Sequence, residues 1–169
     1  VGRLLGVKAW VHSPGVPAPE KWRASKRHGG GIFSDWGAHL MDQSLLLHDT
    51  LPETVSCVMQ YGVPEIDVES GAHCVMQFGD GSVHHIETNV LYHEAVKGYE
   101  IWGTKGRLEI GGFDPKENEL HMAERGSERR APAYWARWSS TYDTESPRDL
   151  DPPGTGDWEA YYRNVAGHL

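Results

Sequence analysis

One short run gathers the residue types that general acid–base chemistry uses. Residues 29–48 read Gly-Gly-Gly-Ile-Phe-Ser-Asp-Trp-Gly-Ala-His-Leu-Met-Asp-Gln-Ser-Leu-Leu-Leu-His, which sets Asp35, His39 and Asp42 at i, i+4 and i+7. The apolar spacing predicts a helix over 34–48, ended by Asp49-Thr50-Leu51-Pro52. At about 100° per residue the three polar side chains fall within about 60° of one another, on one face. Ala38, Met41 and Leu45 make one apolar flank and Leu40 and Leu47 another. The helix is therefore expected to pack on more than one side, with the polar stripe in a cleft between. A carboxylate one turn from an imidazole raises its basicity and can fix its tautomer, poising the ring as a general acid and base near neutral pH. The three glycines let a ligand approach the backbone closely. Free amides at a helix start favour an anionic or hydroxyl group there.

Plainer roles fit the same residues. Asp35 at a helix start can be a cap, and His39 on a helix face can bond to a carbonyl. A metal ion fits poorly, because i and i+7 lie about 10 Å apart along a helix, so one ion reaches only two of the three. Just upstream, Lys21, Trp22 and Arg23 are candidate ligand contacts; the alternative is a solvated basic loop with Trp22 packed on a sheet.

The charge pattern narrows the partners. The chain has 169 residues and a formal net charge of −8. Residues 1–30 carry six Lys/Arg and one acid, whereas 31–96 carry ten acids and neither Lys nor Arg. A nucleic-acid binder needs a broad basic face, so only a small anionic ligand near 21–28 fits the single basic patch. The apolar runs are only a few residues long, which excludes a membrane-spanning helix. Cys57 and Cys74 are too few for a disulfide framework and lack metal spacing; they are expected to be buried free thiols in a reducing, cytoplasmic compartment.

The elements that must hold the candidate helix follow from hydrophobic period. Residues 4–11 read as a strand, and Pro14, Pro17 and Pro19 after it read as loop. From residue 54 the period becomes two. Strands are expected at 54–61, 71–78, 82–91, 99–102 and 107–110, with a weaker one at 119–123. Gly79-Asp80-Gly81 and Thr104-Lys105-Gly106 read as hairpin turns. Residues 124–156 read as a long surface excursion, and 157–169 as an amphipathic helix beginning at Asp157. His84 and His85 are adjacent on one strand and face opposite sides, so at most one could line a site. The order of elements predicts an α+β domain: one large, mostly antiparallel open sheet with helices on one face. Val75, Ile86, Val90 and Ile101 are candidates for an interface on its other face.

The run from Gly29 to Asp42 resembles the Gly-Gly-x-x-x-Asp-x-Gly-x-His-x-x-Asp signature of the glucose–fructose oxidoreductase / inositol dehydrogenase (Gfo/Idh/MocA) family. Trp22-Arg23 is similar to the Trp-Arg that often precedes it. Phe78-Gly79-Asp80-Gly81 and Gly103-Thr104-Lys105-Gly106 are similar to that family's hairpin turns. The resemblance covers roughly residues 1–123 and concerns only the family's C-terminal domain. It implies that 1–169 is a single substrate-binding and oligomerisation domain, and that NAD or NADP is held mainly by an N-terminal Rossmann domain outside this chain. No Gly-x-Gly-x-x-Gly follows a strand here, and the Glu-Lys-Pro motif with the family's catalytic lysine is absent; Glu20-Lys21-Trp22 is not that motif.

Carried over by position, Asp35 and His39 match the family's catalytic pair. His39 would take the proton of a substrate hydroxyl as hydride passes to the nicotinamide, with Asp35 orienting it or holding substrate. Lys21, Trp22, Arg23 and Gly30 complete the expected substrate contacts. The implied function is that of an NAD(P)-dependent dehydrogenase of a sugar, cyclitol such as inositol, or related polyol, active only as the whole protein. A homo-oligomer through the sheet face is expected. The alternatives are a non-catalytic oligomerisation or ligand-binding module and an NAD-retaining glycosidase of the same family.

Overall fold

The computed structural model describes residues 1–93, 96–111, 135–140 and 148–150. Strand β1 (Leu4–His12) runs into the proline-rich loop, two single 3-10 turns (Trp22–Ala24 and Lys26–His28), a π-helical turn (Phe33–Gly37) and helix α1 (Ala38–Leu45). Strands β2 (Thr54–Gln60), β3 (Gly71–Gln77), β4 (Val83–Asn89), β5 (Val96–Gly103), β6 (Gly106–Gly111), β7 (Trp135–Ser140) and β8 (Arg148–Leu150) follow. They form one sheet in the order β2-β3-β4-β1-β5-β6-β7-β8. Among the described residues only β1 and β4 pair in parallel. That pairing forces a crossover, and the crossover carries the π-turn and α1 back over one face. The α+β class with a mostly antiparallel open sheet holds.

Register decides which side chains meet the helix. Cross-strand partners point to the same face, so Val7, Ala9 and Val11 of β1 line up with His84, Ile86 and Thr88 of β4. Ala72, Cys74 and Met76 of β3 extend this layer, and every one of these nine is at most 2% exposed. Leu40, fully buried, inserts into the layer from α1, while Phe33, Trp36, Met41 and Leu45 pack around it. The opposite face carries Lys8, Trp10, His12, His73, Val75, His85 and Glu87 and is polar. Lys8, His12 and His73 converge there on Glu87. His84 and His85 thus divide between core and open face, as the alternation predicts.

Several expectations change. The helix does not run as a uniform α-helix over 34–48: its first turn is π, and it ends at Leu45. Gly37 permits the wide turn, since a Cβ there would clash with the Phe33 ring that wraps over it. Ala38 is exposed and Leu47 45% exposed, so α1 packs on one side only among the described residues, along Leu40 and Ser44. The excursion expected over 124–156 contains β7 and β8, whose residues extend the sheet. Cys57 is not buried: β2 is the edge strand and all seven of its residues are exposed. Val75, Ile86 and Ile101 do not share a face, because the register sends Ile86 and Ile101 to the helix side and Val75 to the open one. Val90 is buried beside the proline-rich loop. The expected strand at 119–123 and helix at 157–169 lie outside the described residues.

Candidate functional site

The approach to the π-turn is wound tightly by its own backbone. Gly30 donates its N–H to the Ser25 carbonyl (2.9 Å) and Gly31 to the Arg23 carbonyl (3.0 Å), which folds the two 3-10 turns against the start of the helical segment. Gly31 adopts φ +113° beside the Glu69 carboxylate, and a Cβ at that position would fall on the carboxylate. Two acids from the β2–β3 connection fasten this corner. Asp67 accepts the Lys26 N–H at 2.7 Å, and Glu69 accepts the Phe33 N–H at 2.9 Å. The second bond satisfies one of the amides that a helical start leaves without an internal partner.

A cleft of about 120 Å³ opens at this corner, lined among others by Ser13, Arg23, Gly31, Asp35, Trp36 and Glu69. Arg23 donates from Nε to Asp35 Oδ2 at 2.9 Å, and its guanidinium lies 4.3 Å from the centre of the Trp22 ring. The pair is accessible, with Arg23 55% and Asp35 29% exposed, so water screens it and a polar ligand can exchange into it. One cation, two carboxylates and an indole around a small open space suit a neutral polyhydroxyl ligand: the charged groups bond hydroxyls and the ring covers an apolar sugar face.

The structure brings some of the expected site residues together and not others. Arg23 and Asp35 meet in the cleft. His39 is exposed on the first turn of α1 and packs edge-on against Trp36, ring centres 6.0 Å apart. Asp35 bonds to Arg23 and not to His39, because the π-turn winds the two away from the spacing of a regular helix. Lys21 and Trp22 sit on the exposed outer side of the 3-10 turns, outside the cleft lining. Trp22 is 48% exposed and faces the Arg23 guanidinium, not the sheet. Gly30 is buried in the turn, and its neighbour Gly31 lines the cleft.

Sequence reasoning missed Glu69, which has no periodic relation to the glycines it serves; a Pro-Glu-x-Asp-x-Glu stretch between two strands was the available signal. It also missed a cluster at the far end of the helical segment. His48 Nε2 and His84 Nε2 lie 3.0 Å apart, so one ring donates to the other. His48 stacks on Phe78 with ring centres 3.6 Å apart, and Ser82 donates its hydroxyl to Asp80 Oδ1 at 2.6 Å beneath it. Burial, and secondarily the neighbouring His48, push the fully buried His84 down to about 4, so that ring is neutral at physiological pH. Among the described residues no group of three or more His, Cys, Asp or Glu could hold a metal ion. No described helix is long and apolar enough to cross a membrane.

Sheet topology, crossover helix and glycine-rich corner together define an α+β domain with a cleft at one end of its helix. A family model described as the GFO/IDH/MocA C-terminal domain matches residues 1–109, and the chain belongs to that family. An uncharacterised oxidoreductase of Schizosaccharomyces pombe is 30% identical over 107 residues, covering 59% of this chain and 29% of its own length. Among solved structures, a levoglucosan dehydrogenase in complex with NADH and levoglucosan superposes with a TM-score of 0.67 at 17% identity, over 99% of this chain and 48% of the other. A UDP-N-acetylglucosamine 3-dehydrogenase from Acidithiobacillus ferrooxidans does so with a TM-score of 0.65 at 14% identity, over 99% and 46%. The structural matches establish the fold. The chain spans less than half the length of each of these relatives.

Proposed function

We propose that this chain is the single substrate-binding domain of an NAD(P)-dependent dehydrogenase that oxidises or reduces a CH–OH group of a sugar or related polyol. The observation that carries the reading is the Arg23–Asp35 pair, exposed in a cleft between the glycine corner and Trp36, with His39 on the next turn. Family membership and the carbohydrate substrates named for the two solved dehydrogenases support it. The dinucleotide belongs to a domain outside this chain, since no Gly-x-Gly-x-x-Gly turn follows a strand here. A bound nicotinamide would supply the hydride donor or acceptor for the substrate's carbinol carbon.

The residues of this chain manage the hydroxyl. Asp35, held by Arg23, accepts a bond from one substrate hydroxyl and sets its orientation. Arg23 donates to a neighbouring oxygen, and Trp36 covers the apolar edge of the ring. His39, exposed and free of a carboxylate partner among the described residues, takes or returns the proton of the reacting hydroxyl. Lys21 and Trp22 flank the cleft on its exposed outer side, and Gly30 supports the cleft wall from within the turn through its bond to Ser25. A cytoplasmic location accompanies this reading.

The full-length protein is the material for the test. A panel of sugars, cyclitols and anhydrosugars is offered with NAD and with NADP, and nicotinamide absorbance is followed. Asp35→Asn is expected to raise KM for the best substrate and lower kcat while cofactor affinity holds. A substrate turned over equally well by wild type and Asp35→Asn removes the cleft from the mechanism.

The open sheet face favours a second property of the same domain, a homo-oligomer contact. Lys8 lies 5.5 Å from the Trp10 ring centre and Arg107 6.0 Å from that of Trp102, so two large aromatics stand on this face among ion pairs. Aromatic anchors among paired charges suit a self-complementary interface. Light scattering on the full-length protein and on Trp10→Glu measures it: the variant is expected to fall to a smaller species.

A further inference from the structure

We propose that Cys57 and Cys74 form a reversible cross-strand disulfide that staples the edge of the sheet beside the loop carrying the cleft wall. The two cysteines are directly opposite in the antiparallel β2–β3 pair. Residues so placed project to the same face with Cα atoms about 4.5–5.5 Å apart, inside the span that a disulfide bridges. Each thiol acts on the other's titration, as expected of side chains on one face of a directly opposed pair. Their exposures differ in a useful way: Cys57 stands open on the edge strand, and Cys74 is 2% exposed within the core layer. An oxidant can therefore reach the first and not the second.

The segment enclosed by this pair gives the bridge a consequence. Between Cys57 and Cys74 run Asp67 and Glu69, which fasten Lys26 and Phe33, and Val68, which lines the cleft with Glu69. Joining the strands covalently limits the freedom of that connection when the edge strand frays.

The chemistry balances with a small-molecule disulfide such as oxidised glutathione as the oxidant. The Cys57 thiolate attacks one sulfur of that disulfide, the S–S bond breaks, and one glutathione thiolate leaves and takes up the proton lost by Cys57. Cys74 then loses its proton and attacks Cys57 Sγ, expelling the second glutathione as a thiol. Two protein thiols are oxidised by two electrons, and one disulfide is reduced to two thiols. Desolvation raises both thiols above the ordinary range, the buried Cys74 to about 11 and the more open Cys57 in the same direction, where Glu69 adds to the effect. The step is accordingly slow at neutral pH and requires sustained oxidising conditions.

Residues 31–96 contain no Lys or Arg, so trypsin leaves both cysteines in one peptide, whereas cleavage after Glu53, Glu65, Glu69 and Glu87 separates them into 54–65 and 70–87. The native protein, incubated with oxidised glutathione and digested at Glu without reductant, is expected to yield those two peptides linked, lighter by two hydrogens than their sum and separated by dithiothreitol. The oxidised protein is expected to unfold at a higher urea concentration than the reduced one. Cys57→Ser, under the same treatment, should leave Cys74 as a free thiol. A lasting glutathione adduct on Cys57 with Cys74 free overturns the proposal, as does linkage that appears only after unfolding. A link that forms without moving the urea midpoint contradicts the staple.

Discussion

The helical segment between Phe33 and His48 has a polar cluster at each end, and both clusters set histidine near aspartate. At the start, Arg23, Asp35 and His39 stand in or beside an open cleft, and the one ion pair among them is exposed. At the finish, His48, His84, Asp80 and Ser82 interlock beneath Phe78, with His84 fully buried. Burial separates their uses. Water and a ligand can exchange into the first cluster. In the second, the rings spend their hydrogen bonds on one another and hold the helix end to the β3–β4 hairpin. A histidine near a carboxylate is thus no guide to chemistry until its exposure is known.

Variants at each end should break that comparison in different observables. The largest structural effect is expected from Leu40→Ala, which empties the core between the two clusters and should cost about 2–5 kcal/mol in denaturant unfolding. At the buried end the signature is pH. His84 has a folded-state value of about 4 against an ordinary 6.5, so the unfolded chain binds the extra proton between those limits. Stability from this group is therefore full above pH 6.5 and falls as pH drops toward 4, by up to about 3 kcal/mol. His84→Gln, which keeps a hydrogen-bonding nitrogen without the titration, should flatten that slope in urea melts taken across the range.

Smaller effects belong to the open end. Glu69→Gln weakens the bond to the Phe33 N–H and should lower stability by about 1 kcal/mol. Its larger trace should be a raised KM, since the cleft wall moves with it. Arg23→Ala should change stability by less than about 1 kcal/mol, because the pair it breaks is exposed. A loss of substrate affinity without loss of stability there would sharpen the contrast with His84.

Much of this was legible in the chain. Strict alternation placed β3 and β4 within a residue or two, and the Gly-Asp-Gly turn between them forms as expected, with Gly81 donating to the Phe78 carbonyl. Alternation also sorted His84 from His85. It could not show that β2 lies at the edge, which is why Cys57 is exposed where a buried thiol was expected: period reveals faces, whereas neighbours are set by long-range pairing. The parallel β1–β4 pair is nonlocal in the same way. β7 was hidden because Trp135–Ser140 is short and flanked by Pro132 and turn-forming residues. At the site, the glycines, Arg23, Asp35 and His39 were all visible, but their geometry was not. The helical wheel assumes about 3.6 residues per turn, and a π-turn at Phe33–Gly37 breaks it between Asp35 and His39.

That break makes His39 the sharpest point of the account, since it must act without Asp35 beside it. The direct measurement is single-turnover hydride exchange in the full-length protein, wild type against His39→Ala, with cofactor affinity measured on both. The hydride-transfer rate is expected to fall about 10²–10⁴-fold with cofactor affinity unchanged. A variant that transfers hydride at the wild-type rate would contradict the assignment of proton transfer to this helix.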